Sequence, residues 1–451
     1  MFKRKIMAEF EAWKNSSGRK KALVVKGLRQ IGKTYSVREF AKANYENIVY
    51  VNFKENESAK KIFDADLNVN RIIIDLSALI PGIHFVEGKT VIIFDEIQEC
   101  ANARSSIKPF CEDGRFDIIA TGSLLGIKGY NKKKSKGVPT GFERIVYMKP
   151  MDFEEFLWAN NNNIYAETIR DAFEKKKPLG DAIHRKIMQT FRTYIAVGGM
   201  PQAVSAYVDG KDYKSIDRIK RNIINLYIKD LEKHDKDDAD RAGLVFKSIP
   251  EQLSNHNSVF KLSVVDESAR TRNCANAVEF LEQSMIVNNC YNVTKPEVTF
   301  EQYAARTTFK MFMGDTGLLV TYLLQSGKGT PDKLYKSLII DDLDVNQGYI
   351  FENMVAQMLR ALNYDLYYHE FKYTAEDNIS EKRYEVDFMI VKGKRIVPIE
   401  VKSSGYKSHK SFDYFIKKYQ LKVNECYIVY TKDLAKEDNV TYIPIYMTMC
   451  L

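Results

Sequence analysis

The sequence of 451 residues lacks the features that would place it in a membrane or outside the cell. No apolar run approaches the roughly 18 residues that a membrane-spanning helix needs. The first residues carry lysine and arginine, but no apolar stretch of signal-peptide length. Ile6, Phe10 and Trp13 instead recur at helical spacing, which predicts an amphipathic first helix. We therefore expect a cytoplasmic protein that does not bind a membrane.

The sequence also lacks the cysteine and histidine spacing of a metal site or a disulfide framework. Its six histidines are scattered, and no C-x-x-C pair occurs. The six cysteines are Cys100, Cys111, Cys274, Cys290, Cys426 and Cys450. We therefore expect single thiols, with neither a disulfide framework nor a zinc site.

Basic residues outnumber acidic ones. The sequence has 68 lysines and arginines against 59 aspartates and glutamates, which gives a net charge of +9. Such an excess favours DNA or another anionic partner without requiring one. The hydrophobic share of 45% and the charged share of 28% are those of an ordinary globular protein. A chain of this length predicts about two to four domains.

The clearest motif is the stretch ALVVKGLRQIGKTYS at residues 22–36. An apolar strand leads into G-x-x-x-x-G-K-[ST], the P-loop or Walker A pattern, and a helix-compatible segment follows. Glycines at both ends let the backbone wrap a phosphate closely, and the N-terminus of the helix faces the anion. Lys33 would reach the β- and γ-phosphates, and Thr34 would help to hold Mg²⁺. The predicted nucleotide-binding residues are Gly27, Leu28, Arg29, Gln30, Ile31, Gly32, Lys33, Thr34 and Tyr35.

A second motif supports ATP and Mg²⁺ as cofactors. Residues 47–53 predict a strand, and Thr90–Phe94 is a continuous apolar run, as in a parallel strand buried on both faces. The run ends in Asp95 and Glu96, at the strand end where open parallel sheets bind ligands. Asp95 would hold Mg²⁺ directly or through water, and Glu96 would polarise the attacking water.

Three further features near this core have two interpretations each. Thr121 and Ser123 follow a short apolar strand at 116–120, and would either sense the γ-phosphate or make ordinary turn hydrogen bonds. The basic stretch Lys128–Lys136 would contact nucleic-acid phosphates or form a solvated loop tip. Arg144 would act as an arginine finger that stabilises the transferred phosphoryl group, in cis or across a subunit interface.

Four ordered motifs carry a resemblance to a known family: GLRQIGKT, IIFDEIQE, IIATGS and ERIVYMKPMDFEEFL. In this order they resemble the AAA-type ATPase module of a prokaryotic family that joins it to a C-terminal region of unassigned function. The resemblance implies an ASCE-type sheet, which has an additional strand and a catalytic glutamate, with Glu96 in the catalytic position. Glu143 is a departure, because the family usually has glycine directly before the arginine.

The middle of the chain is predominantly helical in pattern. The pattern between Leu244 and Val293 is helix, short helix, helix and strand, which resembles a winged helix-turn-helix. Arg270 and Arg272 precede its second long helix, where DNA contacts would be made. A role as a protein–protein connector is the alternative, because Ala275–Glu282 carries few basic residues.

The C-terminal region carries acidic and basic residues in a helix–strand–strand pattern. Glu352 lies near the start of an amphipathic helix, Asp387 lies on a strand, and Glu400 and Lys402 share one face of the next strand. This set resembles the PD-(D/E)xK nuclease fold, in which such residues bind Mg²⁺ and activate water beside a phosphodiester. The alternative is a domain of this shape that retains binding without cleavage.

The expected fold class is α/β: a P-loop NTPase parallel sheet of the AAA/ASCE type, then a helical lid and a winged-helix-like segment, then a restriction-endonuclease-like α/β domain. The expected regions are an ATPase core at 1–150, a helical lid and connecting bundle at 151–235, a winged-helix-like domain at 236–305, a linker at 306–345 and the nuclease-like domain at 346–451.

Three functional hypotheses remain open from the sequence. The first is an ATP-binding and ATP-hydrolysing switch that acts with DNA. The second is an ATP-dependent, Mg²⁺-requiring DNA nuclease, and the third is a nucleotide-gated protein-interaction module without DNA contact. The expected partners are DNA, another protein or a second copy of this chain.

Overall fold

The computed structural model describes residues 2–17, 21–123, 141–234, 239–254, 259–265, 271–324, 331–340, 348–374, 381–403, 410–420, 425–437 and 439–451. These residues form two compact units, each with its own sheet. The first unit comprises Lys3–Pro150 and Leu226–Asp240, and the second comprises Met151–Asn225 and Arg241–Leu451.

The first unit is built on a five-stranded parallel sheet with the order β2-β3-β4-β1-β5. Its strands are β1 (Ala22–Gly27), β2 (Asn47–Asn52), β3 (Thr90–Asp95), β4 (Asp117–Gly122) and β5 (Glu143–Met148). All six residues of β3 are buried, as expected for a central parallel strand with helices over both faces. Because β4 lies between β1 and β3, the sheet contains the additional strand that the sequence predicted.

Helices cover this sheet in the alternating order of an α/β fold. They are α1 (Ile6–Lys14), α2 (Lys33–Asn44), α3 (Glu57–Ile62), α4 (Val69–Leu79) and α5 (Ala101–Asp113). The predicted amphipathic first helix is confirmed, because α1 buries Ile6, Phe10 and Trp13. The ring of Phe10 meets that of Phe40 on α2 edge to face, with centroids 5.4 Å apart. The core therefore holds the helix that follows the glycine-rich loop.

The second unit begins with a helical segment. Its helices are α6 (Phe153–Ala159), α7 (Asn163–Lys175), α8 (Asp181–Val197), α9 (Pro201–Val208), α10 (Tyr213–His234), α11 (Ala239–Ser254), α12 (Leu262–Val265), α13 (Thr271–Gln283), α14 (Thr316–Leu323), α15 (Pro331–Ile340), α16 (Gly348–Ala361) and α17 (Lys410–Tyr419). The last turns of α10 are counted with the first unit. Within the described ranges, no helix has both the length and the apolarity needed to cross a membrane.

The sheet of the second unit is mixed and has eight strands in the order β12-β13-β11-β10-β9-β8-β6-β7. The strands are β6 (Val287–Val293), β7 (Ala304–Met313), β8 (Leu366–Tyr373), β9 (Lys382–Lys392), β10 (Arg395–Val401), β11 (Cys426–Tyr430), β12 (Ala435–Glu437) and β13 (Val440–Pro444). Three pairs are parallel, β6 with β8, β10 with β11 and β11 with β13.

The structure groups the residues after 236 differently from the sequence-based regions. The order of α11, α12, α13 and β6 agrees with the expected helix, short helix, helix and strand. However, β6 and β7 continue the large sheet, because β6 pairs in parallel with β8 at Cys290 and Leu366. The segment expected to be a linker, residues 306–345, contains most of β7 together with α14 and α15. Local patterns do not reveal this pairing, because its two strands are far apart in the sequence.

A close backbone contact joins the end of α8 to the start of α14 in the second unit. Gly198 ends α8 with a φ of 85°, and a Cβ added to Gly317 would lie 2.3 Å from the Cα of Gly198. The carboxylate of Asp315 accepts hydrogen bonds from the backbone N–H of Gly199 at 2.6 Å and of Leu318 at 3.0 Å. One buried carboxylate thus caps α14 and fixes the turn after α8.

The candidate DNA contacts lie wholly or partly outside the described residues. The basic stretch Lys128–Lys136 and Arg270 lie outside the described residues. Arg272 lies in α13, for which only the backbone is described at that position. The winged-helix interpretation and the DNA contacts therefore stay predictions.

Candidate functional site

The loop between β1 and α2 has the shape that the glycine spacing predicts. A Cβ added to Gly27 would lie 2.3 Å from the carbonyl oxygen of Met148 and 2.7 Å from Cδ1 of Ile31, so only glycine fits there. Gln30 and Gly32 have φ values of 65° and 87°, in the left-handed region. Backbone in this conformation turns successive N–H groups toward one concave side, which suits an anion at the N-terminus of α2.

The side chain of Lys33 is buried inside this loop. Its Nζ donates to the carbonyl oxygens of Gly27 at 3.0 Å and Leu28 at 2.7 Å. Burial lowers the pKa of Lys33 to about 8, against the opposing effect of the Glu96 and Asp95 carboxylates. The loop therefore holds an amine whose charge a bound phosphate would stabilise.

Asp95 is the point where the loop, the strand ends and α2 meet. The hydroxyl of Thr34 donates to the Asp95 carboxylate, with 3.0 Å to each oxygen. The hydroxyls of Tyr50 on β2, at 2.6 Å, and of Thr121 on β4 donate to the same carboxylate. Three hydroxyl donors satisfy the buried carboxylate, and none of these three carries a charge that would neutralise it.

The donor set fits Mg²⁺ held together with a nucleotide. Thr34 and Asp95 offer hard oxygen ligands, which Mg²⁺ prefers. Across the part of the chain that the structure describes, no group of three or more histidine, cysteine, aspartate and glutamate side chains is arranged to hold a metal ion. A cation beside Thr34 and Asp95 would take its remaining ligands from phosphate and water, as Mg²⁺ does in nucleotide sites.

Glu96 follows Asp95 directly and has an unusual backbone conformation. Its φ of 52° lies in the left-handed region, which few non-glycine residues adopt. One carboxylate oxygen, Oε2, accepts a hydrogen bond from Nε2 of Gln98. The carboxylate acts on the pKa of Lys33, so both groups belong to one electrostatic site. Strained backbone of this kind is concentrated at functional sites.

The remaining residues predicted for this site lie in different places. Ser123 is buried directly after β4, two residues beyond Thr121. The side chain of Tyr35 is 54% exposed. The sequence did not indicate Tyr50 as a partner of Asp95. The available signal was its position on the predicted strand at residues 47–53.

Arg144 is not brought to the loop. It pairs with Leu23 at the amino end of β1, whereas the loop follows the carboxyl end of that strand, roughly 13 Å away at ~3.3 Å a residue. Its guanidinium forms an ion pair with Glu9 at 3.2 Å. Glu143, the departure from the family pattern, pairs with Arg104 at 3.0 Å. The arrangement therefore corrects the expectation of an arginine finger acting in cis, and a role across an interface stays a prediction.

The sequence also missed the contact between the loop and the end of α10. The guanidinium of Arg29 pairs with Asp230, and the hydroxyl of Tyr227 donates to the carbonyl oxygen of Arg29 at 2.9 Å. These α10 residues stand three apart and so share a helix face. Asp230 lies in the mostly charged stretch KDLEKHDKDDAD at 229–240, so its pairing was not apparent from the sequence.

The second unit brings together the four residues of the nuclease-like pattern. Lys402 forms an ion pair with Glu400, and Asp387 accepts a hydrogen bond from the backbone N–H of Val401 at 2.8 Å. Burial raises the pKa of Glu352 to about 7, with Asp387 raising it further and Lys402 opposing the shift. These interactions bring the four side chains into one cluster.

The sequence missed Lys310, a buried lysine of β7 that enters this cluster. Its Nζ lies 2.5 Å from Oε1 of Glu385 and 3.8 Å from Oε2 of Glu352. Burial alone would lower the pKa of Lys310, but the carboxylates of Glu385, Glu352 and Asp387 outweigh it and raise the pKa. The available signal was a single lysine in the apolar run FKMFM at 309–313. Ammonium groups thus already neutralise part of the cluster.

Comparison with known families assigns the three parts of the chain separately. Residues 19–157 match the model of an AAA domain. Residues 188–329 match a Domain of unknown function (DUF8612), and residues 347–448 match a Domain of unknown function (DUF4143). No curated protein matches the chain.

Solved structures with a similar arrangement are distant in sequence. The Walker-type ATPase PABY2304 of Pyrococcus abyssi is 13% identical, with a TM-score of 0.42, over 71% of this chain and 96% of that one. The ORC1 protein of Aeropyrum pernix in complex with DNA is 13% identical, with a TM-score of 0.28, over 71% and 90%. The RuvB Holliday junction branch migration motor of Thermotoga maritima is 15% identical, with a TM-score of 0.27, over 62% and 85%.

The family match and the parallel sheet together define the class of the first unit. Residues 19–157 form an AAA domain of the P-loop ATPase class. Members of this class bind nucleotide, typically with Mg²⁺. The two regions that follow match families whose function is unassigned.

We expect nucleotide binding to be coupled to proton uptake by Lys33 in alkaline solution. The pKa of Lys33 is about 8, so its amine is neutral in most molecules of the free protein at about pH 9. A bound phosphate favours the ammonium form, so the protein takes up a proton and its affinity falls as the pH rises above about 8. Calorimetric titration with ATP at about pH 9, in two buffers of different ionisation enthalpy, measures the uptake.

The same titration at about pH 7 is the control, because Lys33 is protonated there before ATP binds. Equal heats in the two buffers at about pH 9 would contradict the lowered pKa.

Proposed function

We propose that the protein binds ATP with Mg²⁺ at Gly27–Thr34 and hydrolyses it, with Glu96 as the group that activates water. The observation that carries this proposal is the contact of the Thr34 hydroxyl with the buried Asp95 carboxylate, 3.0 Å to each oxygen. This contact joins the two motifs that P-loop ATPases use to hold the cation. The AAA match over residues 19–157 supports the same activity.

Lys33, Glu96 and the hydroxyls at the end of β4 each have a defined task in this proposal. The ammonium of Lys33 leaves the carbonyl oxygens of Gly27 and Leu28 to bind phosphate oxygens, a stronger charge-assisted interaction. Bound Mg²⁺ supplies neutralisation of the charge that develops on the phosphate oxygens. Glu96 orients and polarises the water, and Ser123 and Thr121 stand at the neighbouring strand end, where a γ-phosphate is sensed.

We further propose that hydrolysis serves a switch that acts with DNA. Arg29 lies inside the loop and is held by Asp230 and Tyr227, so a change in the loop on binding phosphate is transmitted to the end of α10. The net charge of +9 favours an anionic partner. If DNA is the partner, the logarithm of its binding constant falls linearly with that of the salt concentration. A protein-interaction module without DNA contact would lack this dependence.

Two substitutions separate nucleotide binding from hydrolysis. We expect Lys33→Ala to abolish ATP binding, because the loop loses the buried amine that would bind the phosphate oxygens. Glu96→Gln should keep ATP affinity and lower the rate of phosphate release by about 100-fold or more, since the amide cannot take a proton from water. Fluorescent-nucleotide titration and a phosphate-release assay measure the two quantities.

Lys42→Ala is the matched control, because Lys42 is an exposed lysine of the same helix α2. Phosphate release at the wild-type rate by the Lys33→Ala protein would refute the proposal.

A second candidate activity, Mg²⁺-dependent cleavage of DNA, belongs to the C-terminal cluster. The observation in its favour is the placement of Asp387 beside the Glu400–Lys402 strand end, through the 2.8 Å hydrogen bond to Val401. Ligand carboxylates and a lysine in this order are the elements of the PD-(D/E)xK pattern. Lys310 and Lys402 neutralise Glu385 and Glu400, so a cation would have to displace at least one of these contacts.

Cleavage of linear and plasmid DNA, with Mg²⁺ or Mn²⁺ and with or without ATP, tests this activity. We expect Asp387→Ala and Lys402→Ala to lower cleavage by about 100-fold or more, because each removes a group that binds the cation or the phosphate. Lys394→Ala, at the exposed turn before β10, is the control. No cleavage by the wild-type protein with either metal would leave the domain with a binding role alone.

A further inference from the structure

Gln98 contacts the catalytic glutamate from a short helical turn just beyond it. The turn Ile97–Glu99 follows β3 directly, and Nε2 of Gln98 donates to Oε2 of Glu96. A carboxylate accepts and does not donate, so the NH₂ group must be the end of the amide that faces Glu96. The orientation of the amide is thereby fixed, and its oxygen must lie on the other side.

The amide oxygen of Gln98 is packed against Gly122 at the end of β4. This oxygen is buried and has no hydrogen-bond partner among the described residues. A Cβ added to Gly122 would lie 2.5 Å from Oε1 of Gln98 and 3.6 Å from its Cδ. The backbone of Gly122 is in an ordinary strand, with no positive φ that calls for glycine. A side chain at this position would therefore push the Gln98 amide away from where it lies.

The end of β4 thus contacts both acidic residues that follow β3. Thr121 donates to Asp95, and Gly122 bounds the amide that donates to Glu96. The sequences TGS at 121–123 and DEIQ at 95–98 consequently pack together. Asp95 accepts a hydrogen bond from Thr121, and Glu96 accepts one from Gln98. A buried acceptor left without a partner costs free energy, which indicates that the position of this amide has a purpose beyond stability.

We propose that Gln98 is a positioning residue for Glu96, and that Gly122 lacks a side chain so that Gln98 can hold this position. The amide engages one carboxylate oxygen of Glu96 and leaves the other to accept the proton of the attacking water. The inference rests on the proposed ATP hydrolysis and concerns the hydrolytic step alone, because the Gln98 amide donates to Glu96 and not to a residue of the phosphate loop.

A double-mutant cycle tests this role. We expect Gln98→Ala to lower kcat for ATP on the order of 10-fold and to leave nucleotide affinity within about 2-fold, because a misoriented base slows proton transfer without changing phosphate contacts. Gly122→Ala should lower kcat similarly, by displacing the amide. In the double variant Gly122→Ala adds no further loss, because the atom that its Cβ would strike is gone.

Phosphate release and fluorescent-nucleotide binding are measured for all four proteins, with thermal unfolding to confirm folding. Gly243→Ala is the control glycine, because nothing lies within 4 Å of its added Cβ. Unchanged kcat in Gln98→Ala, or an undiminished effect of Gly122→Ala in that background, overturns the inference while ATP hydrolysis stands. If the wild-type protein releases no phosphate, the proposed function fails first and the inference fails with it.

Discussion

The carboxylate of Asp95 is the group on which the organisation of the first unit depends. A buried charge is tolerated only where donors satisfy it, and here hydroxyls from α2, β2 and β4 converge on one side chain. The helix after the phosphate loop, the strand beside β3 and the inserted strand are thereby linked to one carboxylate at the end of β3. Since all three donors are neutral, the negative charge stays available to a cation brought in with a nucleotide.

The C-terminal cluster uses the opposite arrangement. Its carboxylates are compensated by ammonium groups, with Lys310 beside Glu385 and Glu352 and with Lys402 beside Glu400. Removing one partner from such a buried network leaves an uncompensated charge, which costs more than the pair itself contributes. A divalent cation would therefore have to exchange with an internal cation there, whereas beside Asp95 it would only displace hydroxyl contacts. This difference is why we place the principal activity in the first unit.

Local sequence was sufficient to predict positions that depend on neighbouring residues or on parallel-strand ends. It placed Gly27, Lys33, Thr34, Asp95 and Glu96 near one another, because the carboxyl ends of parallel strands meet at one edge. Residues that act through distant pairing were not found. Tyr50, Asp230 and Lys310 reach their partners through contacts of remote segments, and β6 joins β8 across a long stretch of chain. The position of Arg144 likewise follows from the register of β5 with β1, which sequence spacing does not reveal.

The central claim, that Thr34 and Asp95 hold Mg²⁺ together with ATP, is tested most directly by the Mg²⁺ dependence of nucleotide affinity. A fluorescent ATP analogue is titrated with and without Mg²⁺ into the wild-type protein, the Asp95→Asn protein and, as a control at the opposite strand end, the Asp117→Asn protein. We predict that Mg²⁺ tightens ATP binding to the wild-type protein and to the control. The increase in affinity that Mg²⁺ causes should be on the order of 10-fold smaller in the Asp95→Asn protein. An equal gain in the Asp95→Asn protein would contradict it.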